Sequence, residues 1–272
     1  MKSSRYVHGT SRPEQHRLAL LNDLLNANSL EALALRRGQR ALEVGSGLGH
    51  FARAMALAVG PRGKVVGVEK SARQIRAAQR LPGSRGPRLE FRSGDARALP
   101  LTPSEWGSFD VVHARFLLEH LPDPLAAVRE MVRAVRPGGR IVLEDDDHDL
   151  LRLHPEPAGF RRLWRAYVRA FAATGNDPFI GRKLPALLLA AGAESTRCTW
   201  LFFGSCSPAP QFPGFHRNLM GVIVGARRQL VKTGGLSPAE LAKSLAALRL
   251  WAALPGASIW YSVCWAEARR PR

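Results

Sequence analysis

The feature that most restricts the fold of this chain is an alternation. Between residues 40 and 144, short apolar runs alternate with amphipathic stretches of helical period. Runs at 41–44, 64–68, 88–91, 109–113 and 140–144 read as strands, and 51–59, 71–80 and 123–135 read as helices. Ser71 and Asp123 stand where a helix needs a side-chain acceptor for its first amides, and Pro124 occupies a first helical turn. Pro137-Gly138-Gly139 stops the third helix. Strands separated by helices cannot pair as tight hairpins, so the pattern predicts an α/β fold with a doubly wound, mostly parallel sheet.

The flanks extend this plan. Residues 13–36 read as a helix, with leucines at 18, 21, 25, 30, 33 and 35 and Pro13 at its start. Residues 1–38 are therefore assigned to an N-terminal helical arm or cap, and 39–272 to the main domain. Later segments are less regular: helices at 156–174, 184–191, 215–231 and 238–250, and aromatic, β-branched strands at 195–204 and 257–266. Ser237-Pro238-Ala239-Glu240 has capping-box spacing. The helices at about 208–256 form an insertion between the last two strands, expected to be a lid.

Between the first strand and the first helix of the alternation lies Glu43-Val44-Gly45-Ser46-Gly47-Leu48-Gly49. Glycines there let the backbone turn tightly and approach a ligand, while the helix start offers unpaired N–H groups. Glu69 ends the second strand, twenty residues after Gly49, where a carboxylate can accept both hydroxyls of a ribose. Asp95, in Ser93-Gly94-Asp95-Ala96, follows the third strand, where it can accept from an adenine amino group. A dinucleotide-binding pattern would need glycine where His50 stands, and does not include an acid after the third strand.

In combination and in this order, these residues resemble the class I S-adenosylmethionine-dependent methyltransferases, in particular the small-molecule branch that includes the ubiquinone and menaquinone methyltransferases. The resemblance runs from about residue 40 to 145, through 41–49, Val68-Glu69, Gly94-Asp95-Ala96, Phe109-Asp110-Val111-Val112 and Arg136-Pro137-Gly138-Gly139. It implies a Rossmann-like methyltransferase fold, S-adenosyl-L-methionine as cofactor and transfer of a methyl group to a small organic acceptor. Glu43 and Gly45 would face the methionine part and Gly47 the sugar. Glu69 would hold the ribose hydroxyls, Lys70 would line the adenine, and Asp95 with Ala96 would meet its edge. Arg115 falls where the family lines the sulfonium and amino-acid end. Tyr6, His8, Gly9, Thr10 and Gln15 resemble an arm that closes over cofactor and acceptor.

Methyl transfer is an in-line displacement, and it needs a base only when the acceptor must lose a proton. His113, His120 and His148 fall near strand ends, with His113 and His148 the candidates for a base; each also reads as a structural histidine. The run Glu144-Asp145-Asp146-Asp147-His148-Asp149 holds five of the 22 acids. It stands open to three readings: recognition of a cationic amine, metal ligation by two carboxylates and a histidine, or a solvated loop. Trp164, Tyr167, Phe171, Trp200, Phe202 and Phe203 are read either as an aromatic acceptor pocket or as plain core. No dedicated metal site is expected.

The formal charge is +18, with 34 arginines among 40 basic residues. The segment after Pro178 has twelve basic residues and three acids, a surplus that can attract RNA. The arginines are spread along the whole chain, however, together with much Ala, Gly and Pro. His113-Ala114-Arg115-Phe116 also stands where base-amine methyltransferases carry an Asn/Asp-Pro-Pro-aromatic loop, so no specific nucleic-acid partner is expected. A nucleic-acid methyltransferase and an inactive cofactor-binding partner subunit are the alternative readings. Neither an apolar membrane span nor a signal-peptide core occurs, and Cys198, Cys206 and Cys264 read as reduced thiols, so a cytoplasmic location is expected.

Overall fold

The computed structural model describes residues 12–81 and 88–272, without the side chains of residues 12 and 13. Tyr6, His8, Gly9 and Thr10 lie outside the described residues. The first part of the chain runs α1 (Arg12–Leu33), β1 (Arg40–Val44), α2 (His50–Val59), β2 (Lys64–Glu69), α3 (Ala72–Ala78), β3 (Leu89–Ser93), β4 (Phe109–Arg115), α4 (Pro124–Ala134) and β5 (Val135–Asp145). There follow β6 (Arg152–His154), α5 (Phe160–Ala172), α6 (Leu184–Ala190), β7 (Glu194–Phe202) and β8 (Ser205–Cys206). The remainder is α7 (Phe212–Gly225), α8 (Arg227–Lys232), α9 (Pro238–Trp251), β9 (Ser258–Trp260) and β10 (Ser262–Arg269).

Seven strands form one sheet in the order β3-β2-β1-β4-β5-β10-β7. The first five are parallel, and β10 runs antiparallel to β5 with Cys264 opposite Asp145 and Arg269 opposite Arg140. This is the expected mostly parallel sheet flanked by helices. The strand order reverses between β1 and β4, which opens a crevice at the carboxyl ends of those strands, the usual ligand position in such sheets.

The chain divides into two compact units. One comprises Asn26–Asp146, Ile180–Leu201 and Cys264–Arg272; the other comprises Asp147–Phe179, Phe202–Val263 and the described residues up to Leu25. The first unit is centred on the parallel strands, where Phe51 and Met55 of α2 pack with Val65, Phe91, Val111 and Trp265, all buried. The second has its own three-stranded sheet, β6-β9-β8, and packs α5 against α8 and α9. Phe160, Leu163, Tyr167 and Phe171 form the buried face of α5.

Local chemistry explains three of the helix starts. Ser71 accepts from the Gln74 amide and Asp123 from the Ala126 amide, as their positions predict. Ser237 and Glu240 complete the capping box of α9. Three segments differ from expectation. The run 257–266 is not one strand: β9 pairs with β6 and β8, whereas β10 pairs with β5. The helix expected over 215–231 is broken at Ala226, whose φ of −89° and ψ of 2° leave the helical region. β4 continues two residues beyond 113, so His113 lies inside the strand and not at its end.

Candidate functional site

Four sequence-predicted residues belong to the ends of four adjacent strands, Asp95 after β3, Glu69 at β2, Glu43 in β1 and Arg115 at β4. The glycine loop joins this row. Glu69 accepts from the Gly47 amide at 3.0 Å and from the Ser71 amide at 2.7 Å, tying the end of β2 to the loop after β1. Gly47 has φ of 53° and nothing within 4 Å of where a Cβ would stand, so the backbone there is bare and open. Gly49 answers a different need. A Cβ at that position would lie 2.6 Å from Phe91 Cζ and 2.7 Å from Ala78 Cβ, so only glycine lets α2 start against β3 and α3. α2 has no side-chain cap at this glycine.

At the third strand end, Asp95 accepts from Lys70 Nζ at 3.0 Å and is gripped by Arg97 through Nε at 3.0 Å and Nη2 at 2.9 Å. Arg97, the stronger influence, and Lys70 together hold the carboxyl well below the usual carboxylate range. An adenine amino group arriving there must share this carboxylate with two cations, both on exposed side chains. Ala96, beside it, is buried.

Glu43 is the most perturbed member of the row. It is only 4% exposed, and its Oε2 has no hydrogen-bond partner. Burial pushes its carboxyl up to about 8, against the opposing pull of Arg115 and the Ala52 amide, with Glu69 and Glu144 adding to the rise. A buried carboxyl held near neutral pH with an unspent oxygen is suited to meeting an incoming cation.

Arg115 is held by residues that the sequence did not reveal. It donates to Asn26 Oδ1 at 2.7 Å and Ser29 Oγ at 3.0 Å on the last turns of α1, and its guanidinium lies 4.3 Å from the Phe51 ring centre. Ser29 Oγ in turn donates to Glu144 Oε1 at 2.7 Å. Beyond Glu144, at 3.5 Å from its Oε2, stands His113 Nε2, a fully buried imidazole between Phe51 and Trp265. Burial lowers the His113 pKa against the opposing pull of Glu144, which favours the neutral ring. Polar residues three apart on a leucine-rich helix, Asn26 and Ser29, were the available signal for this network.

The acidic run is not a solvated loop. Glu144 and Asp145 are each 1% exposed and Asp147 2%, Asp146 is half-buried, and of the run only Asp149 is exposed. The cause is β5, which continues to Asp145 between β4 and β10 and carries the first two acids inside. Asp145 then accepts from the amides of Leu118, Glu119 and Asp146, fixing the turn after β4, and burial raises its pKa. His148 lies in the other unit, edge-on to the rings of Trp164, Tyr167 and Phe171, with Tyr261 Oη 3.5 Å from its Nδ1. Trp200 and Phe202, by contrast, are 66% and 49% exposed, so the aromatic residues do not converge on a single lining.

The described residues thus place a loop bare at Gly47 beside acids on three successive parallel strands, and residues 42–143 match the family model described as methyltransferase domain. Residues 42–143 carry a methyltransferase domain. Relatives of the chain include an uncharacterised 37.1 kDa protein of transposon TN4556 in Streptomyces fradiae, 36% identical over 70% of this chain and 54% of that protein. The demethylmenaquinone methyltransferase of Lactococcus lactis is 32% identical over 50% of this chain and 53% of its own. The chain therefore spans about half the length of the curated relatives it matches. A Bacillus halodurans protein whose own methyltransferase activity is a proposal superposes with a TM-score of 0.58 at 20% identity, over 91% of this chain and 99% of that one. At that identity the likeness speaks for the fold alone: the methyltransferase domain is folded as a Rossmann-like methyltransferase. No helix among the described residues is long and apolar enough to cross a membrane.

Proposed function

We propose that this protein transfers a methyl group from S-adenosyl-L-methionine to a small organic acceptor. The observation that carries the reading is the row of acids on three successive strand ends, Asp95, Glu69 and Glu43, beside a loop left open at Gly47. S-Adenosyl-L-methionine supplies an electrophilic methyl group on a sulfonium. Glu69 accepts from the ribose hydroxyls with the lone pairs its two backbone donors leave over. Asp95, Lys70 and Ala96 border the adenine. Glu43 and Gly45 take the methionine part, where the unspent oxygen of Glu43 accepts from its ammonium, and Arg115 takes the carboxylate end. Tyr6 belongs to the same site on the resemblance alone.

Positioning and exclusion of water supply the catalysis of such a displacement. His113 is fully enclosed, and its ring packs between Phe51 and Trp265, which suits a supporting role better than proton exchange with an acceptor.

Calorimetry with S-adenosylmethionine and its demethylated product tests the assignment. The parent protein binds both, and Glu69→Ala weakens binding by roughly 1.5–3 kcal/mol, the range for losing a hydrogen bond to a charged group. A parent protein that binds neither, or a Glu69→Ala variant of unchanged affinity, removes the basis for the reading.

A further inference from the structure

α5 is a helix of thirteen residues that carries Arg161, Arg162, Arg165 and Arg169 and no acid. Arg161, Arg165 and Arg169 are four apart and so follow one another along one face, opposite the buried face of Phe160, Leu163, Tyr167 and Phe171. Like charges at this spacing destabilise a helix, and a bound anion removes that penalty. An open groove of about 640 Å³ runs along this face and is lined by all four arginines. Gly159 borders it at the helix start, where α5 has no side-chain cap, so the positive end of the helix faces the same groove. Gly235 borders it beyond the other end.

The protein's own groups satisfy these guanidinium groups only in part. Arg161 meets Glu156 at 2.9 Å and Arg162 meets Glu240 at 2.7 Å, both pairs being well exposed. Arg169 donates to the Gly234 carbonyl at 2.6 Å. Arg165, exposed in the middle of the row, has no partner among the described residues. A guanidinium has five N–H donors in a planar fork suited to phosphate oxygens, and most of those donors here are unspent. From residue 161 to 169 the helix rises ~12 Å, more than one phosphate group can engage. The groove volume lies in the range of small-molecule sites, about 300–1,000 Å³.

We propose that this groove binds the diphosphate group of a small ligand, with Arg165 at its centre and Arg161 and Arg169 to either side. Glu156 holds Arg161 until the ligand displaces it. The groove lies wholly within one unit and shares no residue with the methyltransferase domain, so the proposal stands apart from the reading of the row of acids.

Calorimetry of the full chain with inorganic pyrophosphate at physiological ionic strength tests it. One saturable site is expected. Arg165→Glu weakens it by at least about tenfold and Arg165→Gln by less, as fits loss of charge-assisted hydrogen bonds. Glu156→Gln tightens it by freeing Arg161. Arg73→Glu, at an exposed residue of α3 that does not line the groove and with the same change in net charge, leaves it within about twofold. Phosphatidylcholine vesicles with and without diacylglycerol pyrophosphate distinguish a lipid headgroup from a free diphosphate, and either source bound through Arg165 upholds the site. Circular dichroism unchanged by the Arg165 substitutions establishes that they fold. Absence of saturable binding, equal losses in Arg73→Glu and Arg165→Glu, or preference for single-stranded RNA over pyrophosphate at the same salt overturns the proposal.

Discussion

A carboxyl that keeps its proton at neutral pH makes ligand binding a proton-linked event, and Glu43 is such a group. With its pKa pushed up to about 8, it is mostly protonated at pH 7 in the free protein. An ammonium placed against it favours the carboxylate, so cofactor binding is expected to release up to about one proton near pH 7 and to tighten as pH rises toward 8. Calorimetry in buffers of different ionisation enthalpy counts that proton, and Glu43→Gln abolishes the release. The sign for stability is opposite. The folded state holds the proton between the ordinary pKa of 4.5 and about 8, so this group's contribution to stability falls as pH rises through that window. Unfolding curves of the parent and Glu43→Gln, compared from pH 5 to 9, should diverge progressively, with the parent declining more steeply. The sequence made Glu43 visible as a site residue through its place before the glycine loop. It gave no sign of the burial, because an acid in a strand reads the same whether its neighbours leave it open to water or cover it.

At the scale of elements, the end of α1 is joined to the parallel sheet through the Ser29 hydroxyl as well as through Asn26, which accepts from Arg115. Ser29 Oγ donates to Glu144 and accepts from Arg115, and Ser29 is fully buried. Ser29→Ala leaves Glu144 Oε1 without that donor, and an unsatisfied buried acceptor costs about 1–3 kcal/mol or more. A lower denaturation midpoint with an unchanged m-value is the expected result, and an unchanged midpoint would show that water replaces the hydroxyl. Elements of this core were legible because strand and helix periods differ and because Ser71, Asp123 and Ser237 each carry their own capping chemistry. The later elements were harder for physical reasons. Residues 257–266 favour strand throughout, and only tertiary pairing decides that β9 and β10 join different sheets. A solvated loop was one of three readings of the run 144–149, because charge is usually solvated, yet backbone amides of the turn after β4 supply what Asp145 needs. Aromatic residues of β7 were read as pocket or core, but Trp200 projects from an edge strand.

For the molecule as a whole, a charge of +18 predicts general attraction to polyanions without predicting recognition. Arginines occur in both units and along the whole sequence. Binding to RNA is therefore expected to be weak, indifferent to sequence and steeply reduced by salt, as anisotropy titrations at two ionic strengths would show. A tight, sequence-selective complex at physiological salt would instead favour a nucleic-acid acceptor. The two units are also interleaved along the chain. The chain passes from one to the other at 25/26, 146/147, 179/180, 201/202 and 263/264. Two of the three segments of the second unit thus enter as loops between strands of the large sheet, after β5 and after β7. The match to the methyltransferase domain stops at residue 143, just before the first of these departures. A lineage can lengthen or rebuild such loops without once interrupting β1 to β5, so the part that holds the acids is free to stay constant while the part that carries the arginine groove diverges.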